Sequence, residues 1–295
     1  MMNENFEQYL ARYKQLIDKM SVKEIEQLNI PDNLKASMVY SLQAGGKRIR
    51  PLLLFASYQA YEEDIDKVLL TAVALEMIHT YSLIHDDLPA MDDDDLRRGK
   101  PTNHKVFDEA TAILAGDALL TYSFELIMSD DHLSEREKVQ TTRLLSQASG
   151  PSGMVAGQLL DMAYEGENID LHTLESIHEL KTGQLLTFAI EIGAYLAGAP
   201  DGDIKQLKTF AYYLGLIFQV QDDILDVTGD PNQIGKPVGS DADNAKSTYP
   251  QLLGLDGAQK QKEIYKEKAK KALAQTSVEQ PFLSALTHYV TERDH

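Results

Sequence analysis

The sequence of 295 residues predicts an all-α protein that forms a single large helical domain, residues 1–295. Apolar residues recur at helical spacing along most of the chain, and the alternating pattern of β-strands does not stand out in any segment. Several segments are apolar on nearly every face, as expected of helices buried at the centre of a large fold. No linker-like stretch separates these helices, so we place no domain boundary.

Seven helical segments can be placed from their pattern. Helices are expected over residues 3–28, about 34–43, 50–60, 67–85, 106–128, 173–197 and 204–228. Pro31 follows the first helix, and Gly45 and Gly46 end the second, because proline and glycine both disfavour helix interiors. Loops are expected over residues 97–103, 129–136, 166–171, 199–203 and 229–250.

The composition excludes several classes of protein. The chain has 46 acidic and 28 basic residues and a net charge of −18, which is the wrong sign for non-specific nucleic-acid binding. It has no cysteine, so disulfides and thiolate chemistry are excluded, which fits a reducing compartment. The first residues lack the order of a signal peptide, and no unbroken run of about 18 apolar residues is present. We expect a cytoplasmic protein with no integral membrane segment and no nucleic-acid partner.

An unusual concentration of acidic residues follows the apolar segment 67–85, in the sequence DDLPAMDDDD. On a regular helix Asp86 and Asp92 would lie about 240° apart around the axis. Pro89 lies between them and is expected to distort the chain and return Asp92 towards Asp86. Asp86, Asp87 and Asp92 are then candidate metal ligands. The alternative is a solvated acidic surface, which a run of like charges usually forms.

A second acidic cluster ends the apolar segment 204–228, in the sequence QDDILD. Asp222 and Asp226 are four residues apart and so share one helix face, with Asp223 beside them. Three neighbouring carboxylates repel one another unless cations lie between them. Carboxylate oxygens suit Mg²⁺, which completes its coordination shell with water and substrate phosphates. Two such clusters, each at the end of an apolar helix, favour a metal-dependent site over a solvated surface.

Basic residues accompany the acidic clusters. Gly45 and Gly46 precede Lys47, Arg48 and Arg50, and backbone amides beside glycine form phosphate-binding corners with basic side chains. The alternative for this corner is an ordinary basic start of a helix. Further cations lie after the first cluster and towards the C-terminus: Arg97, Arg98, Lys181, Lys236 and Lys246. We expect an acidic protein with this arrangement to bind anions through metal ions and basic side chains together.

Two histidines lie in the apolar segment 67–85, at His79 and His85. A single histidine in such a helix is usually a core residue with its hydrogen bonds satisfied. His85 directly precedes Asp86 and Asp87, which is also a feature of helical HD-type metal phosphohydrolases. That class needs a histidine well upstream, and the first histidine of this chain is His79. The pattern disfavours this class of enzyme but leaves it open.

The motifs, taken together and in order, resemble those of the short-chain trans-prenyl diphosphate synthases, and most closely those of bacterial farnesyl-forming members. They read GGKRIRP, DDLPAMDDDDLRRGKPTNH, GMVAGQLLDM, KTG, FQVQDDILD, GKPVGSD and KSTYP, and they extend over nearly the whole chain. The resemblance implies the isoprenoid synthase fold, with long helices around a deep central cavity, and a homodimer. It also implies a prenyltransferase that condenses isopentenyl diphosphate with dimethylallyl diphosphate and then geranyl diphosphate, giving farnesyl diphosphate.

The resemblance also implies roles for the site residues. The two clusters would face each other across the cavity mouth and hold three Mg²⁺ ions on the allylic diphosphate. The metal ligands would be Asp86, Asp92 and Asp222, with Asp87, Asp223 and Asp226 beside them. The isopentenyl diphosphate site would comprise Gly46, Lys47, Arg50, His79 and Arg98. The allylic diphosphate site would comprise Arg97, Lys181, Thr182, Gln219, Lys236 and Lys246, with Lys181 also counted among the catalytic groups.

The length of the product is expected to depend on Tyr81 and its small neighbour Ser82. Tyr81 lies five residues before Asp86 on the same helix, about 7.5 Å along the axis. Helical side chains lean towards the N-terminus, so Tyr81 would reach deeper into the cavity than the diphosphate end. In the farnesyl-forming relatives a bulky aromatic residue at this place closes the floor of the tunnel. The alternative is an ordinary core tyrosine.

The chain departs little from the family pattern. Ala156 stands where many relatives have glycine, and the end of the chain, ERDH, keeps only Arg293 as a cation to help close the pocket. Two rival functions remain. A class I terpene cyclase would carry a different second metal motif and would lack the GGKRIRP site. A non-catalytic subunit that tunes a larger synthase would lack intact aspartate clusters, whereas this chain keeps both.

Overall fold

The structure is a computed structural model that describes residues 5–229 and 246–292. Within these residues helices account for nearly all of the regular structure, as the sequence predicts. The elements are α1 Phe6–Glu26, α2 Asp32–Leu42, α3 Ile49–Gln59, α4 Asp66–Asp86, β1 Leu96–Arg97, β2 Lys100–Pro101, α5 Asn103–Val106, α6 Glu109–Met128, α7 Glu135–Ser149, α8 Met154–Ala163, α9 Leu171–His178, a π-helical turn Glu179–Gly183, α10 Gln184–Leu196, α11 Asp201–Thr228, α12 Tyr249–Leu273 and α13 Pro281–Thr291.

The chain forms two compact units. The first comprises Met1–Leu52 and Ile65–Thr142, and the second comprises Leu53–Asp64 and Arg143–His295. Helices α3 and α7 each contribute residues to both units. The single domain expected over the whole chain stays a prediction.

The core of the first unit is built on α4. This helix packs against α6 and α1, and α2 packs against α6. Val73, Leu75 and Met77 of α4 are fully buried, and each such side chain contributes about 1.5–3 kcal/mol relative to an exposed one. α6 begins at a clear sequence signal, because the Asp108 carboxylate accepts a hydrogen bond from the Thr111 amide at 2.7 Å and caps the helix. The helix expected from residue 106 therefore starts three residues later.

The core of the second unit is built on α11. This long helix packs along α12 and α10, and it also contacts α13. α12 is kinked at Gly254, whose φ of 71° is a left-handed conformation that glycine adopts without strain. The helix expected over residues 173–197 is divided by the π-helical turn, which periodicity alone does not reveal.

Two helices are long and apolar enough to span a membrane by length and composition. Each helix has an 18-residue window that is its most apolar part. Of this window, 67% is buried inside the protein in α4 and 39% in α6. The expectation of no spanning segment rests on the lack of an unbroken apolar run, and these two helices are interrupted by polar residues. The core helix of a soluble protein meets the same criteria of length and composition.

Candidate active site

The first aspartate cluster begins where α4 ends. After Asp86 the chain turns back on itself, and the Asp92 amide donates to the Asp86 carbonyl at 2.9 Å. The Met91 and Asp93 amides both donate to one carbonyl, that of Leu88, which closes the turn. The predicted return of Asp92 towards Asp86 is therefore confirmed for the backbone. Both aspartates are partly exposed, so their carboxylates are accessible to a ligand.

Asp87 differs from these neighbours because Arg97 binds it. Asp87 is only 4% exposed. Arg97 donates to its Oδ1 from Nε at 2.7 Å and also from Nη2, and it donates to Asp94 at 3.2 Å. A carboxylate held by two arginine nitrogens is fixed in orientation. The pairing fits the supporting role predicted for Asp87 better than direct metal ligation.

A short hairpin formed by β1 and β2 presents Arg97 and Arg98. Arg98 lies at the turn with a φ of 55°, and its guanidinium donates to the Gly45 carbonyl. A Cβ atom on Gly46 would lie 2.5 Å from Nη1 of Arg98. A side chain at position 46 would displace this guanidinium, and the φ of 126° at Gly46 favours glycine because other residues adopt it only with strain. The structure thus brings Gly46 and Arg98 together, and their role in binding isopentenyl diphosphate stays a prediction.

Arg48 does not belong to the phosphate-binding corner, and the prediction that included it there is wrong. The side chain is buried, and its nitrogens donate to Asp18 at 2.7 Å, to Glu76 at 2.7 Å and to the Leu42 carbonyl at 2.5 Å. Its charge is used to join α1, α4 and the end of α2. Lys47 and Arg50, on either side, are partly exposed and remain candidates for anion binding.

His79 lies on α4 in a strongly positive environment. Burial, followed by the charges of Arg50, Arg98 and two further arginines, lowers the pKa of His79 well below its ordinary value. The imidazole is therefore neutral at pH 7, with one nitrogen as donor and the other as acceptor. The grouping of His79 with Arg50 and Arg98 agrees with the predicted isopentenyl diphosphate site.

Tyr81 points into the protein from the same helix and is 6% exposed. Burial, helped by the nearby Asp86 carboxylate, raises the pKa of Tyr81 to about 12. Its ring meets that of His85 edge to face at 5.8 Å. The Ser82 hydroxyl donates to the His79 carbonyl at 2.9 Å, so it is bonded within its own helix.

His85 serves the packing of α4 on α6. Its Nε2 lies 3.1 Å from the Ile113 carbonyl, and a Cβ atom on Gly116 would lie 2.2 Å from the same nitrogen. The imidazole therefore fills the space that Gly116 leaves open. This position favours a structural role for His85 over the metal ligation that an HD-type phosphohydrolase would need.

The second aspartate cluster lies near the C-terminal end of α11. Asp223 and Asp226 are each 5% exposed, whereas Asp222 is partly exposed. Asp223 accepts a hydrogen bond from the Tyr249 amide at 2.9 Å, at the start of α12. Asp223 therefore joins two helices. Asp222 is the most accessible carboxylate of the three, and it is the one predicted as the principal metal ligand.

The π-helical turn carries Lys181 and Thr182. Such turns are rare and are frequent at functional sites. The Thr182 hydroxyl donates to Gln219 of α11 at 2.7 Å, so two of the predicted allylic diphosphate residues are in contact. A Cβ atom on Gly215 would lie 3.0 Å from the Cα of Gly183, which shows how closely the turn approaches α11.

Lys181 and Lys246 share the carboxylate of Asp161, which was not among the predicted site residues. Nζ of Lys181 lies 2.6 Å from Oδ2 of Asp161, and Nζ of Lys246 lies 3.7 Å from the same oxygen. Burial opposes ionisation, but the two lysines hold the pKa of Asp161 below its ordinary value. The motif GMVAGQLLDM contains this aspartate, and its contact with KTG follows only from the fold. Lys236 and Arg293 lie outside the described residues.

The acidic donors fit Mg²⁺ chemically. Asp86, Asp92 and Asp222 offer accessible carboxylate oxygens, the hard ligands that this ion prefers. In residues 5–229 and 246–292 no three histidine, aspartate or glutamate side chains converge on one point. Each cluster therefore offers part of a coordination shell, as suits an ion that takes the remainder from water and phosphate.

Comparison with known proteins gives a consistent result. A family model described as polyprenyl synthetase matches residues 31–283. The farnesyl diphosphate synthase of Bacillus subtilis strain 168 is 50% identical over 289 residues, which cover 97% of this chain and 98% of that protein. The farnesyl diphosphate synthase of Geobacillus stearothermophilus is also 50% identical, over 98% of both chains. A geranyltransferase from Helicobacter pylori, solved with magnesium and isoprenyl diphosphate, superposes with a TM-score of 0.83 at 33% identity and covers 98% of this chain and 97% of its own.

Proposed function

Because the chain belongs to the polyprenyl synthetase family, we propose that it is a short-chain trans-prenyltransferase that makes farnesyl diphosphate. It condenses isopentenyl diphosphate with dimethylallyl diphosphate and then with geranyl diphosphate. The observation that supports this function is that the chain keeps two intact aspartate clusters and, in addition, a basic corner around Gly46. The first feature serves ionisation of the allylic diphosphate, and the second supplies a place for another diphosphate.

The chemistry requires the chain to stabilise a leaving diphosphate and to protect a carbocation. Bound Mg²⁺ supplies positive charge that offsets the charge developing on the leaving group. Lys181, Lys246 and Arg97 add fixed positive charge to the allylic diphosphate. Lys47, Arg50 and Arg98 hold isopentenyl diphosphate so that its double bond attacks the allylic cation and forms the new carbon–carbon bond. The cation that results loses a proton to the released diphosphate, which leaves the double bond of the product. The buried apolar face of α4 excludes water that would otherwise quench the cation.

Three features complete the proposal. Three Mg²⁺ ions serve each active site, with Asp86, Asp92 and Asp222 as protein ligands. The enzyme is cytoplasmic.

It works as a homodimer, which is supported by the apolar surface of α6, where Ile113 is 43%, Leu114 59% and Met128 43% exposed. A second copy covering this surface would remove it from water. Replacing Leu114 by Glu should then give a monomer in analytical ultracentrifugation, whereas an unchanged mass distribution would contradict this interface.

The function is tested by the purified protein alone. With Mg²⁺, dimethylallyl diphosphate and labelled isopentenyl diphosphate, the label should enter a prenyl diphosphate and inorganic pyrophosphate should be released. A terpene cyclase would instead release pyrophosphate from the allylic substrate without consuming isopentenyl diphosphate. A non-catalytic subunit would show no turnover until a partner synthase is added. Either of these two results would refute the proposal.

A further inference from the structure

We propose that Asp161 is a positioning residue that holds Lys181 and Lys246 together as one anion-binding pair, an inference that rests on the proposed function. Its Oδ2 lies 2.6 Å from one ammonium nitrogen and 3.7 Å from the other. The lysines are 65 residues apart in the sequence, from position 181 to position 246, and both contact this carboxylate. Asp161 acts through them rather than on the substrate itself.

The position of Asp161 is fixed by the way in which α8 meets the π-helical turn. A Cβ atom on Gly157 would lie 2.1 Å from the Lys181 amide nitrogen. Only glycine therefore allows α8 to lie directly against the backbone of the turn. Asp161 follows Gly157 by four residues and so projects from the same face of α8. Close packing at Gly157 thus places the Asp161 carboxylate next to the Lys181 side chain.

Lys246 is brought to the same carboxylate from the start of α12. Two residues after it, Thr248 caps this helix, and its hydroxyl accepts from the Gln251 amide. The backbone amide of Tyr249, the residue after Thr248, donates to Asp223 of the second aspartate cluster at 2.9 Å. The Ser247 hydroxyl donates to the Glu167 carbonyl at 3.1 Å. These bonds fix the backbone on the C-terminal side of Lys246.

The balance of charge indicates what the group binds. Asp161 places one negative charge between two lysine ammonium groups, and an ammonium group can donate to the oxygens of an anion as well as to a carboxylate. The buried His178 adds no charge at pH 7, because burial lowers its pKa to about 4. The lysine side chains are 23% and 17% exposed, so part of each faces solvent. Without Asp161 the two cations would repel each other and separate. With it, they present paired donors to a diphosphate group.

The test compares Asp161→Asn and Asp161→Glu with the parent and with Glu165→Gln. The last variant removes the same charge from an exposed residue just after α8. For each protein, initial rates are measured while each substrate is varied, and the affinity for inorganic pyrophosphate with Mg²⁺ is measured by calorimetry. Melting temperatures verify folding.

Asp161→Asn should lower kcat/KM for the allylic substrate by about 10- to 100-fold, the range found when a residue that orients a ligand is lost. The KM for isopentenyl diphosphate should change less than twofold. Pyrophosphate affinity should fall about tenfold, and Asp161→Glu should recover part of both losses. Glu165→Gln should match the parent.

Three results would overturn the role of Asp161. They are parent-like values for Asp161→Asn, equal losses for both substrates, and no recovery in Asp161→Glu. Failure of the proposed function is distinguishable from these results. A parent protein that binds pyrophosphate but does not condense the two substrates refutes the function. The pyrophosphate affinities of the variants still decide whether Asp161 positions the lysines.

Discussion

Adjacent aspartates in this protein have different partners. Asp86 is partly exposed at the end of α4, while Asp87 is buried and held by Arg97. In the second cluster Asp222 is partly exposed, while Asp223 accepts from the Tyr249 amide. In each pair one carboxylate is accessible to a ligand and the next one supports the local structure. A run of acidic residues therefore combines two functions at neighbouring positions.

Tyr81 gives a prediction on product length. Tyr81→Ala should shift the product from fifteen carbons to twenty or more, because it removes the bulk that closes the floor of the tunnel. Tyr81→Phe is the matched control, since it keeps the ring, and it should still give fifteen carbons. Products are compared by chromatography after dephosphorylation.

An ordinary core role for Tyr81 predicts a different result. Truncation of a buried aromatic residue lowers the free energy of unfolding by about 3–5 kcal/mol, and the product would stay at fifteen carbons. If folded Tyr81→Ala enzyme gives an unchanged product spectrum, the prediction that Tyr81 closes the floor of the tunnel is wrong.

His178 gives a prediction on pH dependence. Its ring is 7% exposed and stacks on Tyr249 at 5.7 Å, and burial lowers its pKa to about 4. Above pH 6.5 the ring is neutral in both folded and unfolded chains. As the pH falls below 6.5, only the unfolded chain takes up the proton, so stability is lost until about pH 4. This histidine should thus cost about 2 kcal/mol of stability between pH 7 and pH 5.

The measurement is urea unfolding at pH 7 and pH 5. The loss of stability between these values should be smaller in His178→Phe, which keeps an aromatic ring against Tyr249. His172→Asn, at an exposed position of α9, should keep the loss of the parent. A loss in His178→Phe equal to that of the parent would show that another group titrates in this range.

At the scale of elements, the segment GGKRIRP divides into binding and structural positions. Arg48 is buried between Asp18 and Glu76, while Lys47 and Arg50 are partly exposed. Arg48 has a φ of 55°, a conformation that non-glycine residues adopt only under constraint. This backbone geometry turns its side chain inward and separates it from its two basic neighbours.

Substitutions of Arg48 and Lys47 should therefore have different effects, the first on stability and the second on substrate binding. Arg48→Met should lower the free energy of unfolding by about 3–5 kcal/mol, because Glu76 is left buried without its partner. Lys47→Met should change stability by less than about 0.5 kcal/mol but raise the KM for isopentenyl diphosphate. Urea unfolding and initial rates measure the two effects. If Arg48→Met is stable but has lost affinity for isopentenyl diphosphate, the structural role of Arg48 is contradicted and a role in binding is favoured.

The sequence predicts the elements better than their partners. The helical segments placed from the sequence begin and end within a few residues of the observed helices, because apolar periodicity and glycine or proline breaks are local signals. Helices α7, α8, α12 and α13 have no predicted bounds. The hairpin Leu96–Pro101 and the π-helical turn were not expected. The hairpin is too short for an alternating pattern, and the π-helical turn depends on packing against α8 and α11. The burial of Arg48 and the contact of Asp161 with Lys181 join distant segments, which no local pattern encodes.

At the scale of the whole molecule, the first aspartate cluster belongs to one compact unit and the second to the other. The net charge of −18 would repel diphosphates if it were evenly spread. The cations grouped around Gly46 and around Asp161 create local regions of positive charge in this negatively charged protein. Our central claim is that both aspartate clusters serve one Mg²⁺-assisted ionisation.

The most direct test of that claim is the rate of farnesyl diphosphate formation by Asp86→Ala and Asp222→Ala, each assayed with Mg²⁺, geranyl diphosphate and isopentenyl diphosphate. Asp95→Asn is the control, since Asp95 is an exposed residue paired only with Lys105 among the described residues. Both alanine variants should lose several orders of magnitude in kcat/KM with helical content and melting behaviour retained, because each removes a ligand that acts chiefly in the transition state. The control should keep the activity of the parent. Near-normal turnover by either folded alanine variant would contradict the claim.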